Sequence, residues 1–343
     1  MLTCMFIKFS RAALAIRQAT MLGVLLPAVT LVSANSLAQT AEVPEKIASA
    51  DPKTGVVDCS ASLTQKHNPM LVDAAHGLVC FEGYLTKFSN WTEARDGEQA
   101  TAWGVPQWTI HRVDARKRGQ AALEGRDRPR SWFTVRELYD KGLAPSDENY
   151  RFSQKTRQQQ ANWYERGHLT QKYLAERVSP TSGRFTHNVV NAVPQRGQFN
   201  KGPWLTLECY TGAWANENTA VWIITGPIFL HELPATWLKS DSAKKPFPLA
   251  IPDALFKIVV RKGRKEPWDA MAFIYPQDHP AYKKGPWNPS DWRTSIKRIE
   301  QLTGETFSTN LKPEGKSRDE KAPLWSAHRE SFDTSCKRFS AEK

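Results

Sequence analysis

The chain has 343 residues, of which 40% are hydrophobic and 13 are tryptophan. This length can bury a full hydrophobic core, and the composition excludes a disordered or low-complexity protein. With 47 Lys and Arg residues against 35 Asp and Glu residues, the formal net charge is +12. Such a charge favours a polyanionic partner, either nucleic acid or an acidic membrane surface.

The N-terminus has the features of an export signal. Three basic residues, Lys8, Arg11 and Arg17, precede an apolar run over residues 19–32. Small residues follow, and Ala38 ends a segment that fits a signal-peptidase cleavage site. A membrane anchor is the alternative, but the run is short and a proline interrupts it. We therefore predict a signal peptide over residues 1–38, cleaved near Ala38, no stable membrane anchor, and a mature protein that is secreted or periplasmic.

Four cysteines follow this segment, Cys59, Cys80, Cys209 and Cys336. An even number in an oxidising compartment predicts two disulfides, for which three pairings exist. A Cys59–Cys80 bond closes a short local loop, which leaves Cys209–Cys336 to connect the C-terminal segment with the middle of the chain. Free buried thiols are the alternative.

The first elements in chain order are short. Residues 39–79 are predicted to form a linker and a small N-terminal disulfide element. Alternating apolar and polar residues over 106–113 predict a strand. A basic stretch with seven arginines follows over residues 112–136. This stretch is either a solvated loop or a surface that follows the phosphate backbone of a nucleic acid.

The second half of the chain contains stronger patterns. Apolar runs at 220–224, 255–260 and 272–275 predict three strands, and residues 295–302 have the apolar spacing of a helix. Because strands and helices do not alternate regularly, we predict one α+β domain over residues 80–312, with a largely antiparallel central sheet flanked by helices. The charged tail over residues 313–343 is predicted to be loosely packed, apart from Trp325 and Cys336.

Two segments contain the residue types that phosphodiester hydrolysis requires. Residues 164–169 read Tyr-Glu-Arg-Gly-His-Leu, and residues 186–208 contain Asn191, Asn200 and Glu208. Pro203 fits only a first helical turn, so we predict that a helix begins near Asn200 or Lys201. On such a helix, Asn200 and Glu208 would face a common site beside a strand that contains the histidine.

These side chains suit the reaction. A histidine with a pKa near ~6.5 can accept a proton from water at neutral pH. A divalent cation and an arginine can offset the negative charge of the transition state. Mg²⁺ keeps most of its water ligands, so one asparagine carbonyl can be its direct protein ligand.

The hexapeptide at 164–169, the Asn-x-x-Pro-Gln segment that begins at Asn191, and the Asn-x-Gly-x-Trp-x-x-Leu-Glu segment that begins at Asn200 resemble the DNA/RNA non-specific endonuclease family. This family includes endonuclease G and secreted bacterial nucleases. Shorter matches, such as residues 130–132 and 299–304, extend the resemblance to about residues 80–310. The resemblance implies a ββα-metal nuclease fold.

It also implies a role for each matched residue. His168 matches the general base, Asn200 the direct metal ligand, and Glu208 an acidic residue that orients water at the metal. Arg166 and Arg130 match positions that contact phosphate or the transition state.

Two further positions are assigned supporting roles in the same way. Asn191 matches an asparagine close to the site. Glu165 stands where the family usually has aspartate, so acidic character is kept with a longer side chain. His187 has no matching role and is interpreted as structural.

The predicted function is therefore a Mg²⁺-dependent endonuclease, with Mn²⁺ or another divalent cation as the alternative metal, that cuts DNA and RNA without sequence preference. The alternative is a catalytically weak nucleic-acid-binding or DNA-uptake protein on the same scaffold, against which intact His168, Asn200 and Glu208 argue. Homodimerisation, an inhibitor protein, and a nutritional, defensive or toxin role stay open.

Overall fold

The computed structural model describes most of the chain beyond its N-terminal segment. The predicted signal peptide, much of the predicted linker and the middle of the basic stretch lie outside the described residues. The described residues are 48–59, 77–88, 91–92, 101–116, 128–153, 155–156, 163–231, 234–263, 268–307, 322–333 and 336.

Within the described residues, the strands form one large sheet and three small ones. They are β1 (Val56–Val57), β2 (Leu78–Phe81), β3 (Tyr84–Lys87), β4 (Trp91–Thr92), β5 (Thr101–Ala102), β6 (Trp108–Asp114), β7 (Tyr164–His168), β8 (Ala192–Arg196), β9 (Ala220–Ile228), β10 (Trp237–Leu238), β11 (Leu249–Ala250), β12 (Ala254–Lys262), β13 (Trp268–Pro276) and β14 (Arg293–Thr294). The large sheet has the order β1-β2-β3-β6-β9-β12-β13-β14. Each of its strand pairs is antiparallel, as the sequence predicted.

The helices are mostly short. They are α1 (Arg136–Asp140), α2 (Lys172–Ala175), α3 (Pro180–Phe185), α4 (Gly197–Phe199), α5 (Leu205–Asn218) and α6 (Ile296–Thr303), and a π-helical turn (Asn200–Trp204) joins α4 to α5. In the described part of the chain, no helix is long and apolar enough to cross a membrane.

Both faces of the large sheet are covered, which explains why its central strands are almost continuously apolar. On one face, Ile223 and Val259 belong to a buried cluster with Trp214 of α5. On the other face, Phe256 packs in a second cluster with Ile299 of α6. The three apolar runs therefore form β9, β12 and β13, as predicted.

Strand β9 is longer than the sequence predicted, because it continues through Gly226 and Pro227 to Ile228. The pairing with β6 ends at Thr225, so beyond that residue β9 has a neighbour on one side only. A proline is tolerated where one edge of a strand is unpaired. A Cβ at Gly226 would lie 2.4 Å from the carbonyl oxygen of Gln107, so this close approach requires glycine.

Helix α6 was predicted with nearly correct ends. Its N-cap Ser295 accepts a hydrogen bond from Arg298 N at 3.1 Å, which satisfies one of the unpaired amides of the first turn. Gly304 ends the helix with a left-handed φ of 71°, a conformation that glycine adopts without steric cost.

The segment after Asn191 forms a strand, a turn and a helix. β8 pairs with β7 in antiparallel fashion, with Gly167 opposite Val193, and α4 follows β8 directly.

The predicted helix start near Asn200 or Lys201 was wrong by a few residues. The helical segment begins at Gly197, and Gly202 interrupts it with φ −105° and ψ −108°, so that regular α-helix resumes at Leu205. The bend at Gly202 accommodates Pro203, which cannot continue the hydrogen bonds of a regular helix.

Within the C-terminal segment, the described residues 322–333 pack against the rest of the protein more closely than their charge predicted. Disulfides join Cys59 to Cys80 and Cys209 to Cys336, the pairing that loop length favoured. Residues 322–333 lie along α5, and Asp333 forms buried ion pairs there with Arg116 at 2.8 Å and Arg177 at 3.2 Å. We call residues 322–333 the C-terminal strap.

Candidate active site

The β7–β8 hairpin fixes the position of His168. His168 is the last residue of β7 and pairs with Ala192. Gly167 precedes it, and a Cβ at Gly167 would lie 2.1 Å from the side-chain oxygen of Gln195, so only glycine allows these two strands to approach. The Arg-Gly-His sequence thus has a steric reason as well as a chemical one.

Asn191 holds the chain immediately after His168. Its Oδ1 accepts a hydrogen bond from Thr170 N at 2.8 Å, and its Nδ2 donates to the carbonyl oxygens of Thr170 at 2.9 Å and Thr186 at 2.8 Å. The side chain is fully buried. One amide group thus makes three hydrogen bonds to the backbone of Thr170 and Thr186. In this way Asn191 fixes the chain that follows His168.

The imidazole of His168 lies in an aromatic environment. Its ring centroid is 4.4 Å from that of Trp132 and 4.8 Å from that of His187. The residue keeps partial exposure, yet Nε2 is buried and has no hydrogen-bond partner among the described residues.

The same environment sets the charge of the ring. Burial lowers the pKa of His168 well below its usual 6.5, and the permanent positive charges of Arg128 and Lys172 contribute to the same shift. A low pKa leaves the imidazole uncharged at neutral pH, the form that can accept a proton.

Arg166 is held by an acid that sequence analysis did not identify. Its guanidinium forms an ion pair with Asp147 at 2.8 Å and lies 5.9 Å from the ring centroid of Trp132. Asp147 is 19 residues upstream and also accepts a hydrogen bond from Trp132 N at 3.0 Å. Asp147 therefore connects Arg166 and the indole that contacts His168.

Two exposed arginines lie on the segment before Trp132. Arg130, which the family resemblance matches to a phosphate contact, has an exposed side chain. Arg128 is exposed as well, and its charge is close enough to lower the pKa of both His168 and His187, although burial is the larger cause in each. The structure thus adds Arg128 to the candidates that face the site.

Asn200 is oriented by Glu165. Its Nδ2 donates a hydrogen bond to Glu165 Oε2 at 2.9 Å, and Lys201 forms an ion pair with the same carboxylate. An ionised carboxylate only accepts hydrogen bonds, so the amide nitrogen must face Glu165 and the amide oxygen must point elsewhere. The side chain of Glu165 therefore reaches Asn200 and leaves the amide oxygen of Asn200 free to bind a cation.

A neutral oxygen of this kind suits Mg²⁺ better than a softer metal. Among the described residues, no three His, Cys, Asp or Glu side chains converge to hold an ion. The donor set fits a cation that takes one protein oxygen and keeps several waters.

Glu208 lies one turn beyond the bend, and it is buried against the large sheet. Burial raises the pKa of its carboxyl, and the charge of Lys257 opposes this effect. Burial likewise lowers the pKa of the Lys257 ammonium, which Glu208 opposes. The Lys257 Nζ donates to Thr225 Oγ1 at 3.0 Å and lies 4.6 Å from the ring centroid of Trp204.

The structure thus gathers some of the predicted residues more tightly than others. His168, Asn191, Glu165 and Asn200 share the β7–β8 hairpin and the helical turn after it, and Arg166 lies on the same strand. Glu208 follows on α5, where its partner is Lys257 of β12. No local pattern assigned a site role to Asp147 or Lys257, and His187 was predicted to be structural, because each meets its partner only through long-range packing.

These positions lie within a segment that known proteins share. The model of the DNA/RNA non-specific endonuclease family matches residues 99–314. The chain belongs to this family. Members of this family hydrolyse nucleic acids, and the chain is therefore grouped with nucleases. The family depends on a divalent metal ion. The α+β fold with a large antiparallel sheet, predicted from the sequence, is confirmed, and the β7–β8 hairpin with α4 and α5 has the ββα arrangement.

Curated relatives of the chain include the mitochondrial nucleases EXOG. The Xenopus laevis protein is 23% identical over 220 residues, which are 60% of this chain and 54% of the relative. The Homo sapiens protein is 22% identical over 212 residues, 60% of this chain and 53% of the relative. The chain spans about half the length of the curated relatives it matches. The solved structure of an EndoG/EndoGI complex aligns with a TM-score of 0.46 and 16% identity, over 69% of this chain and 88% of that chain.

Proposed function

We propose that this chain is an exported, Mg²⁺-dependent endonuclease that hydrolyses phosphodiester bonds of DNA and RNA without sequence preference. The observation that carries the proposal is the uncharged, partly exposed imidazole of His168 at the end of β7, the strand whose Glu165 hydrogen-bonds Asn200.

In this proposal His168 is the general base. One water molecule transfers a proton to the His168 imidazole as its oxygen attacks phosphorus, and the bond from phosphorus to the leaving sugar oxygen breaks. Because its pKa is lowered, the imidazole of His168 stays unprotonated even in mildly acidic solution. Arg166 is fixed by Asp147 beside the same indole, and we assign it to the phosphate.

Asn200 is the proposed protein ligand of the cation, and Glu165 keeps the amide oxygen turned toward it. Bound Mg²⁺ would offset the negative charge that develops on the phosphoryl oxygens. Mn²⁺ fits the same oxygen donor. Glu208 is proposed to orient water at the cation. Burial raises the pKa of its carboxyl, and the charge of Lys257 offsets only part of that rise.

The lack of sequence preference follows from the proposed mode of binding. The full chain has a net charge of +12, of which three positive charges lie in the proposed signal peptide, so the mature protein stays strongly basic. This charge and the exposed Arg128 and Arg130 offer contacts to the phosphate backbone, which every sequence presents. Affinity of this origin decreases as salt concentration rises.

Two features of the chain, its N-terminal segment and its disulfides, support export. The basic and apolar N-terminal segment fits a signal peptide, and two disulfides are typical of proteins that fold in an oxidising compartment. N-terminal sequencing of protein recovered outside the cytoplasm should begin near Gln39, and an intact Met1 in that fraction would contradict the proposal.

The function is tested by incubating the purified protein with supercoiled plasmid, linear DNA of random sequence and RNA, each with Mg²⁺ or with EDTA. We expect nicking of the closed circle, degradation of all three substrates without fixed fragments, and no cleavage in EDTA. Equal cleavage in EDTA would remove the metal from the mechanism. Tight binding of the substrates without cleavage in Mg²⁺ would favour the alternative of a catalytically weak binding or uptake protein.

A further inference from the structure

His187 contacts the proposed base directly. The His187 and His168 rings meet edge to face, with centroids 4.8 Å apart and planes at 88°. The Trp132 indole closes the cluster, because its centroid lies 4.4 Å from His168 and 5.3 Å from His187. Three rings in mutual contact leave the imidazole of His168 little freedom to rotate.

The backbone on both sides of His187 is fixed. Its carbonyl oxygen accepts a hydrogen bond from Phe133 N at 2.7 Å, and the next residue, Asn188, forms a parallel bridge with Phe133. The Asn188 side chain donates to the carbonyl oxygen of Thr54 at 3.2 Å. The segments that contain His187 and Trp132 are therefore joined to each other, and both rings approach His168 from one rigid frame.

A catalytic histidine is often oriented by a carboxylate at its second ring nitrogen. At His168, Nε2 is buried and has no hydrogen-bond partner among the described residues. The charged groups that act on the imidazole include Arg128 and Lys172, which are both cations. The described contacts that can orient the ring are therefore those with the rings of Trp132 and His187.

We propose that His187 is a positioning residue that, together with Trp132, fixes the imidazole of His168 for proton transfer. This inference rests on the proposed role of His168 as base. His187 itself does not exchange the proton. Burial lowers its pKa to about 4, so at neutral pH it is an uncharged ring whose contribution is its shape.

The test compares His187→Ala, His187→Leu and His187→Phe with wild type and with His168→Ala, in Mg²⁺. His328→Phe is the matched control, because His328 is an exposed histidine on the C-terminal strap. For each folded variant, kcat and KM are measured on plasmid DNA from pH 4.5 to pH 8.5.

We expect His187→Ala to lower kcat about 10- to 100-fold with little change in KM, because a base that is misplaced by about 1 Å loses up to that factor. The cavity would also admit water to His168, and its pKa would rise, so the acid limb of the profile should move toward pH 6.5. His187→Phe keeps a ring of similar shape and should restore most of kcat and the wild-type acid limb. His328→Phe should match wild type.

His187→Leu fills the space without a planar ring and keeps the test valid if His187→Ala does not fold. A folded Leu or Ala variant with wild-type kcat and acid limb would overturn the inference. So would a Phe variant as inactive as the Ala variant, since a ring alone would then be insufficient. If His168→Ala retains activity, the proposed function itself fails, which these outcomes distinguish.

Discussion

The surroundings of His168 and the interface between α5 and the C-terminal strap bury charged or titratable groups in opposite ways. In the strap, Asp333 is buried between Arg116 and Arg177, and opposite charges compensate each other. Around His168 the acting charges are positive, and Nε2 has no partner among the described residues. Removing one member of a compensated pair leaves a buried charge and destabilises the fold, whereas an uncompensated titratable group is a candidate for chemistry. Changes in the strap should therefore affect stability first, and changes beside His168 should affect activity first.

The largest stability effect should come from the disulfide between α5 and the end of the chain. Cys209 and Cys336 are 127 residues apart, and Cys59 and Cys80 are 21 apart. By chain entropy, Cys336→Ser should lose about 5 kcal/mol of unfolding free energy and Cys59→Ser about 3 kcal/mol. Urea unfolding of both variants measures the difference, and a larger loss for Cys59→Ser would contradict the account.

The buried ion pairs of the strap should follow closely. Asp333→Ala leaves two arginines without their carboxylate, which should cost about 3–5 kcal/mol of unfolding free energy. Glu330→Ala is the control, since this carboxyl lies on the same segment and is exposed. Both proteins should keep wild-type kcat at a temperature where they are folded. A stable Asp333→Ala protein with reduced kcat would reverse the comparison between the two regions.

On the active-site side, Glu165→Ala should change metal use and leave stability nearly unchanged. Without its hydrogen bond, the Asn200 amide can rotate away, and the loss of such an outer partner typically weakens metal binding about 10- to 100-fold. Asn200→Ala should weaken it further. Cleavage rate against Mg²⁺ concentration measures this, and filter binding of DNA in EDTA should match wild type. An unchanged Mg²⁺ requirement in Asn200→Ala would reject the ligand assignment.

The smallest effect concerns acid stability. Burial lowers the pKa of His168, of His187 to about 4, and of His111 to about 3. Between these values and 6.5 the unfolded chain binds more protons than the folded chain, so stability falls as pH falls. Urea unfolding between pH 6.5 and 5 should show this decline. His111→Phe should reduce its slope by at most about 1.4 kcal/mol per pH unit, and an increase in stability toward pH 5 would contradict the assignment.

Local sequence was sufficient for some of this structure. Helix α6 has an apolar face, a serine cap and a terminal glycine, and all three signals lie within ten residues. The central strands are apolar because they are buried on both faces. The short distance between the first pair of cysteines indicated their bond.

Other features depend on contacts that a local pattern does not encode. Asp147 meets Arg166 only because a short 3₁₀ helix, Asp147–Tyr150, packs against β7. His187 was interpreted as structural, since nothing adjacent in the sequence shows that its ring touches His168. The charged strap was predicted to be loose, because its partners Arg116 and Arg177 lie far away in the chain. The family resemblance supplied the catalytic assignments but no packing around them.

The central claim is that His168 is the uncharged base of a phosphodiesterase reaction, and His168→Ala tests it most directly. The measurement is the plasmid cleavage rate in Mg²⁺ at pH 7.5, made on protein whose urea unfolding midpoint has been compared with wild type. We expect a loss of about 10²–10⁴-fold, the usual contribution of a general base, with a nearly unchanged midpoint. A folded His168→Ala protein that cleaves at a near wild-type rate would contradict the account.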